Sequence, residues 1–156
     1  MIEIYNVTKC FDTIKAVDEV SVTIRENTVF GLIGTNGAGK STVLRMITGV
    51  LKPDDGTIAV DNMTVYDNVD AKKKMFFIAD EPYFFANGCA QTMEHYYSRI
   101  YENFNTEEFY QYLENFNLDK RRKINTFSKG MKKQLALLLG ICAHTKYLLC
   151  DETFDG

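Results

Sequence analysis

The sequence predicts an α/β fold, with a β-rich N-terminal lobe and an inserted helical subdomain, and three observations predict it. Apolar residues alternate at a period of two near the N-terminus, at Ile2 and Ile4 and again at Val20, Val22 and Ile24, as half-buried strands require. Between residues 90 and 143 the period becomes helical. Between these stretches an apolar run at 28–33 leads into Gly34-Thr35-Asn36-Gly37-Ala38-Gly39-Lys40-Ser41, and a helical pattern follows at once.

The elements follow in chain order. Residues 28–33 read as a short buried strand, and Val43, Leu44, Ile47 and Val50 give the next helix its apolar face. Lys52-Pro53-Asp54-Asp55-Gly56 is a strong turn, and residues 57–60 and 75–79 read as strands. In the helical stretch, Met93, Tyr96, Tyr97, Ile100 and Tyr101 share one face, and Phe109, Tyr112, Leu113 and Phe116 share another. Thr106 is a suitable N-cap before Glu107 and Glu108. Leu135, Leu138, Leu139 and Cys142 form a third face, with Ser128 as its helix cap. Residues 147–150 are an apolar strand that ends on Asp151 and Glu152. The organisation expected is a single domain: residues 1–86 as β lobe and phosphate-loop core, 87–143 as helical subdomain, and 144–156 as a strand returning to the core.

The glycine-rich stretch fits GxxxxGK(S/T). Glycines at 34, 37 and 39 allow successive N–H groups to turn inward around phosphate oxygens. A helix beginning near Lys40 adds the positive end of its dipole. Lys40 then reaches the β and γ phosphates, and the Ser41 hydroxyl suits Mg²⁺. A nucleoside triphosphate, with ATP the expected species, is the ligand this pattern implies.

Composition narrows the function classes. The chain has 156 residues, 46% hydrophobic and 25% charged, which is ordinary for a globular domain. Eighteen basic and twenty-one acidic residues give a net charge of -3, so no global basic field argues for nucleic acid. The aromatic stripes lack interleaved basic residues and read as core, not as a base-stacking platform. The sequence contains neither an apolar run long enough to span a bilayer nor a signal peptide pattern, so the expected compartment is the cytoplasm. Cys10, Cys89, Cys142 and Cys150 show no CxxC spacing and read as small, buried or half-buried residues.

Two further pieces carry chemistry. Acidic residues at the C-terminal end of a buried strand occupy the usual ligand-facing edge of an open α/β sheet. Asp151 there can hold Mg²⁺ opposite Ser41, and Glu152 can orient and deprotonate a water that attacks the γ phosphate. Ser128 and Gly130, at the start of the Leu135 helix, make a second anion-binding helix end, or serve simply as its cap.

With these residues in place, the chain resembles the ATP-binding subunit of ABC transporters over its whole length. Residues 34–42, Asn36, Gly37, Ala38, Gly39, Lys40, Ser41 and Thr42 among them, look like the Walker A motif. Residues 127–131 resemble the LSGGQ signature, and 147–152 the Walker B strand with its catalytic glutamate. Phe11 stands where the family stacks an aromatic ring on adenine, although by composition it suits a core equally well. Asp80 falls at the glutamine-loop position, which senses the γ phosphate, contributes to the Mg²⁺ site and couples to membrane subunits. Asp155 and Gly156 look like the start of the D-loop.

The resemblance implies that two such domains bind head to tail, as a homo- or heterodimer. Each ATP is then held between one Walker A loop and the partner's Ser128 and Gly130. It also implies transmembrane permease subunits, a position on the inner face of the cell membrane, and transport driven by ATP hydrolysis, of multidrug or antibiotic exporter type. Asp80 for glutamine, Lys129 for glycine, Met131 for glutamine and Thr153 for proline are departures from the family pattern.

Family members continue beyond the position of Gly156 with a switch histidine, and His95 and His144 read as ordinary residues. The chain is therefore expected to be a C-terminally truncated fragment. The alternative function is nucleotide binding without hydrolysis. Soluble ABC ATPases of DNA repair or translation are disfavoured. The repair kind has a long coiled coil where only 88 residues separate Lys40 from Ser128, and the ribosome-binding kind has two nucleotide domains per chain.

Overall fold

A computed structural model describes residues 1–151. The chain forms two compact units, Met1–Lys72 and Lys73–Gly156, and each is described by itself.

In the first unit, β1 (Ile2–Phe11) and β2 (Ile14–Ile24) form a long antiparallel hairpin. β3 (Asp55–Val60) adds to the other edge of β1, and the short β4 (Met63–Thr64) follows it, giving the order β2-β1-β3-β4. The period-two residues behave as the pleat demands: Ile2, Ile4, Ile58 and Val60 are buried on one face. α1 (Lys40–Ile47) lies between β2 and β3 in sequence and buries Met46 and Ile47. Val50 falls beyond the end of α1 and is 63% exposed, because the helix closes at Thr48 and Gly49. A short α2 (Val69–Lys72) completes the unit. The turn at 52–56 is pinned to β1 through Asp54, whose carboxylate accepts from Lys9 Nζ and the Cys10 N–H at 2.7 Å each.

One expectation about this unit fails. Residues 28–33 form no strand, and Val29 and Ile33 are 105% and 95% exposed. An apolar run becomes a strand only where a neighbour completes its hydrogen bonds. The first unit's sheet is composed of β1 to β4, and this run pairs with none of them.

In the second unit, β5 (Met75–Ile78) and β6 (Tyr147–Cys150) pair in parallel, with Ile78 opposite Cys150. The connection between them carries α3 (Ala90–Ile100), α4 (Thr106–Asn115), a 3-10 turn (Ile124–Thr126) and α5 (Lys129–Cys142). Phe76, Met93, Phe109, Leu113, Leu135 and Leu139 belong to one buried cluster. At Gly140 a Cβ would lie 2.8 Å from Leu148 Cδ1 and 3.1 Å from Ile78 and Phe76 side-chain carbons, so the missing side chain lets α5 settle onto the two strands.

The helical stripes are narrower than the sequence suggests. Met93, Phe109 and Leu113 are buried, whereas Tyr96 is 44%, Ile100 39% and Phe116 50% exposed. The N-cap of α4 is Asn105 instead of Thr106: Asn105 Oδ1 accepts from the Glu108 N–H at 3.1 Å. The Thr106 hydroxyl instead donates to buried Glu94 at 2.7 Å, where Tyr110 also donates at 3.2 Å, tying α3 to α4. Of the cysteines, Cys142 is buried and the other three are half-buried, as expected. Among the described residues no helix is long and apolar enough to cross a membrane.

Candidate functional site

The phosphate loop of the first unit is built on backbone shape. Gly37 and Gly39 take φ of +84° and +87°, which side-chain-bearing residues rarely adopt. Gly34 is absent from the positive-φ glycines, so its contribution is space: a Cβ there would meet that of Ala38 at 3.2 Å. Gly39 serves as N-cap of α1 and has no side chain to offer, and a Cβ on it would lie 2.3 Å from the Ala16 carbonyl of β2. The loop is thus backed by a strand on one side and leaves Asn36, Gly37 and Ala38 exposed on the other. Lys40 Nζ donates to the carbonyls of Gly34 and Thr35 at 2.9 and 3.0 Å, and the Ala38 N–H donates to Thr35 at 3.1 Å. These bonds close the loop into a ring with an ammonium group across its mouth. Ser41 and Thr42 lie in the first turn of α1, where orphan N–H groups and the dipole favour an anion.

Phe11, at the end of β1, is 45% exposed with Lys9 Nζ 5.7 Å from its ring centre, so it is not core. An exposed ring of this kind is available for stacking.

In the second unit the acidic residues gather at the C-terminal ends of two neighbouring strands. Asp151 is 4% exposed and its N–H donates to the Ile78 carbonyl at 2.8 Å, extending the ladder one residue past β6. Asp80 stands two residues beyond β5, and its Oδ1 lies 3.1 Å from Lys133 Nζ of α5. Strand ends of an α/β sheet are where ligands bind, and both carboxylates fall there. Glu152, together with Thr153, Asp155 and Gly156, lies outside the described residues.

The Ser128 cap forms as read from the sequence, with Oγ accepting from the Met131 N–H at 3.2 Å. Gly130, in the first turn of α5, is exposed, with only Ser128 Oγ within 4 Å of where its Cβ would be. The turn leading to this cap is held by Arg122, which sequence reasoning missed. Its Nε and Nη2 donate to the Thr126 hydroxyl and carbonyl at 2.9 Å each, and its guanidinium lies 5.5 Å from the Phe127 ring centre. Lys133 was missed too. A lysine on an otherwise apolar helix face, five residues after a cap, was the available signal.

His144 Nε2 lies 2.7 Å from Glu108, which also accepts from Tyr112 at 2.9 Å. These hydrogen bonds, His144 first, hold the Glu108 carboxyl below its ordinary range.

Comparison with known proteins adds to this geometry. The sequence profile of the family described as ABC transporter matches residues 17–155. The chain belongs to the ABC transporter family. The similarity extends to the ATP-binding protein YtrB of Bacillus subtilis (strain 168), 30% identical over 156 residues that cover 100% of this chain and 53% of YtrB. It extends also to the bacitracin transport ATP-binding protein BcrA of Bacillus licheniformis, 27% identical over 159 residues, covering 100% of this chain and 52% of BcrA. The chain spans about half the length of these curated relatives. Among solved structures, a dimeric ATP-binding cassette in a post-hydrolysis state, bound to ADP and phosphate, superposes with a TM-score of 0.84 at 23% identity, over 99% of this chain and 75% of that one. The fold is therefore that of the nucleotide-binding domain of this family, a P-loop NTPase fold.

Proposed function

We propose that this ABC family chain binds ATP at residues 34–42 and that, in the whole protein, ATP hydrolysis by a head-to-tail dimer energises export through permease subunits. The observation that carries the reading is the closed loop at 34–40, with two glycines at positive φ and Lys40 across its mouth. Lys40 exchanges its two carbonyl partners for β and γ phosphate oxygens, which offer charge-assisted hydrogen bonds in place of neutral ones. Phe11 stacks on the base. Ser128 and Gly130 address the nucleotide of the partner domain, where the N-terminus of α5 presents a positive dipole end.

Ser41 of the first unit and Asp80 and Asp151 of the second are the proposed Mg²⁺ ligands, because each offers the hard oxygen that this ion prefers. Bound there, Mg²⁺ would neutralise charge that builds on the transferred phosphoryl group. Glu152 positions and deprotonates the attacking water.

The relatives' transport names and the dimeric cassette support the partner assignments. We propose the division at 1–86, 87–143 and 144–156 as a functional one, whereas the compact units divide between Lys72 and Lys73. Permease contact is assigned to the cavity of about 280 Å³ beyond β5, lined by Tyr83, Phe85, Tyr96 and Tyr97 among others, because it adjoins the segment that carries Asp80. Through that contact the domain lies on the inner face of the membrane.

The test is Glu152→Gln in the full-length protein. It is expected to retain ATP affinity and to lose phosphate release by a factor of 100 or more, on the order of a lost general base. Phosphate release at the wild-type rate would contradict the assignment of Glu152.

A further inference from the structure

Lys9 Nζ sits over the ring of Phe11, 5.7 Å from its centre, close to the turn of the β1–β2 hairpin. The ammonium is anchored by Asp54, whose Oδ1 accepts from it at 2.7 Å while Oδ2 accepts from the Cys10 N–H at 2.7 Å. The Asp54 N–H donates in turn to the Thr8 carbonyl at 2.9 Å, so the turn is clamped onto β1 immediately before Phe11. The Cys10 N–H, and then Lys9, hold the Asp54 carboxyl below its ordinary range, which keeps the anchor ionised. The lysine side chain is 15% exposed against 47% for that of Asp54. A cation is thus fixed against one face of the ring of a residue that is itself 45% exposed.

The same stretch of hairpin adjoins the phosphate loop within the first unit. Lys9 pairs with Val17 across the hairpin, and a Cβ on Gly39 would lie 3.3 Å from Val17 Cγ2. An aromatic face carries negative charge, and so does the face of a purine, so two stacked faces repel unless they are offset. A cation on the far side draws that charge away from the near side. We propose that Lys9, anchored by Asp54, is a positioning residue for the nucleobase: it fixes the Phe11 ring from one face and prepares the opposite face to stack on the base. The inference rests on the reading of residues 34–42 as the nucleotide site and of Phe11 as the stacking partner, and adds to it the group that orients the ring.

Calorimetry with ADP and with inorganic pyrophosphate tests it, because the two ligands share a diphosphate, differ in the base and are not turned over. On the 156-residue chain, Lys9→Met should weaken ADP binding about threefold and leave pyrophosphate unchanged. Phe11→Ala should weaken ADP binding about tenfold. In the Phe11→Ala background, Lys9→Met should have no further effect, since the lysine acts through the ring. Lys9→Arg keeps both the anchor and the cation and should keep the wild-type affinity. Should Lys9→Met fail to fold, Asp54→Asn decides: it loosens the anchor, keeps an acceptor for the Cys10 N–H, and should weaken ADP binding alone. A purely structural role would lower both ligands together, and that result overturns the proposal. So does an unchanged ADP affinity in Lys9→Met, or an equal loss with and without the Phe11 ring. Unchanged ADP affinity in Phe11→Ala overturns the stacking reading and the inference with it, whereas a wild-type chain that binds neither ligand overturns the nucleotide reading itself.

Discussion

Lys40 Nζ lies 2.9 Å from the carbonyl oxygen of Gly34, spanning the mouth of the loop whose backbone it belongs to. The same ammonium bonds Thr35 at 3.0 Å, so one side chain closes the ring that the glycines make possible. On the proposed reading, binding a phosphate would exchange two neutral acceptors for anionic ones.

The shape of the loop depends on Gly39. With φ at +87° and the Ala16 carbonyl 2.3 Å from the site of a Cβ, Gly39→Ala forces either the loop or β2 to move. The expected cost is about 2–3 kcal/mol, a fall in melting temperature of roughly 4–12 °C for a chain of this size. Gly37→Ala, at φ +84° with nothing within 4 Å, should cost only about 1 kcal/mol. Thermal unfolding of the two variants side by side checks the order, and equal melting temperatures would contradict it.

Ser128 caps α5 and, on the proposed reading, also addresses the partner's nucleotide. As N-cap it contributes about 1 kcal/mol to α5, so Ser128→Ala should lower the melting temperature by a few degrees. As a ligand for the partner's nucleotide, it should leave the ATP affinity of the monomer unchanged while lowering turnover of the full-length dimer. Calorimetry at dilute protein together with phosphate release checks both. Weaker ATP binding by the monomer would contradict the assignment across subunits.

Alkaline pH tests the packing of the second unit. Burial, with Glu108 nearby, pushes the Cys142 thiol up to about 12 from an ordinary 9.0. An acid whose folded pKa is raised loses its proton first in the unfolded state, so the unfolded state binds fewer protons above pH 9. Stability is therefore expected to be level through pH 8 and to fall as the pH rises from 9 toward 12. Tyr101, also raised to about 12 by burial, contributes in the same direction from its ordinary 10.0. Denaturant midpoints at pH 8 and 10.5 check the slope, and Cys142→Ala should reduce it while the tyrosine part remains.

What the sequence revealed depended on whether the determinants were local. The Gly37, Gly39 and Lys40 geometry was legible because a tight loop is set by its own residues, and the Ser128 cap because it reaches only three residues ahead. The 28–33 run was misread because hydrophobicity does not specify a pairing partner. Thr106 was assigned the cap that Asn105 makes, since both residue types favour that position and only the partner Glu94, twelve residues upstream, claims the threonine hydroxyl. Asp80 was picked out for its position in the chain, but its pairing with Lys133, 53 residues away, exists only in the folded second unit. Arg122 was hidden in a run of four basic residues, 120–123, of which its bonds to Thr126 single it out.

The most direct test of the account is the affinity of this chain for Mg-ATP, measured by calorimetry on wild type and Lys40→Ala. Losing the charge-assisted contacts to the β and γ phosphates should weaken binding by about 10- to 100-fold. Equal affinity in the two proteins, or no binding by the wild type, would contradict the claim that residues 34–42 hold the nucleotide.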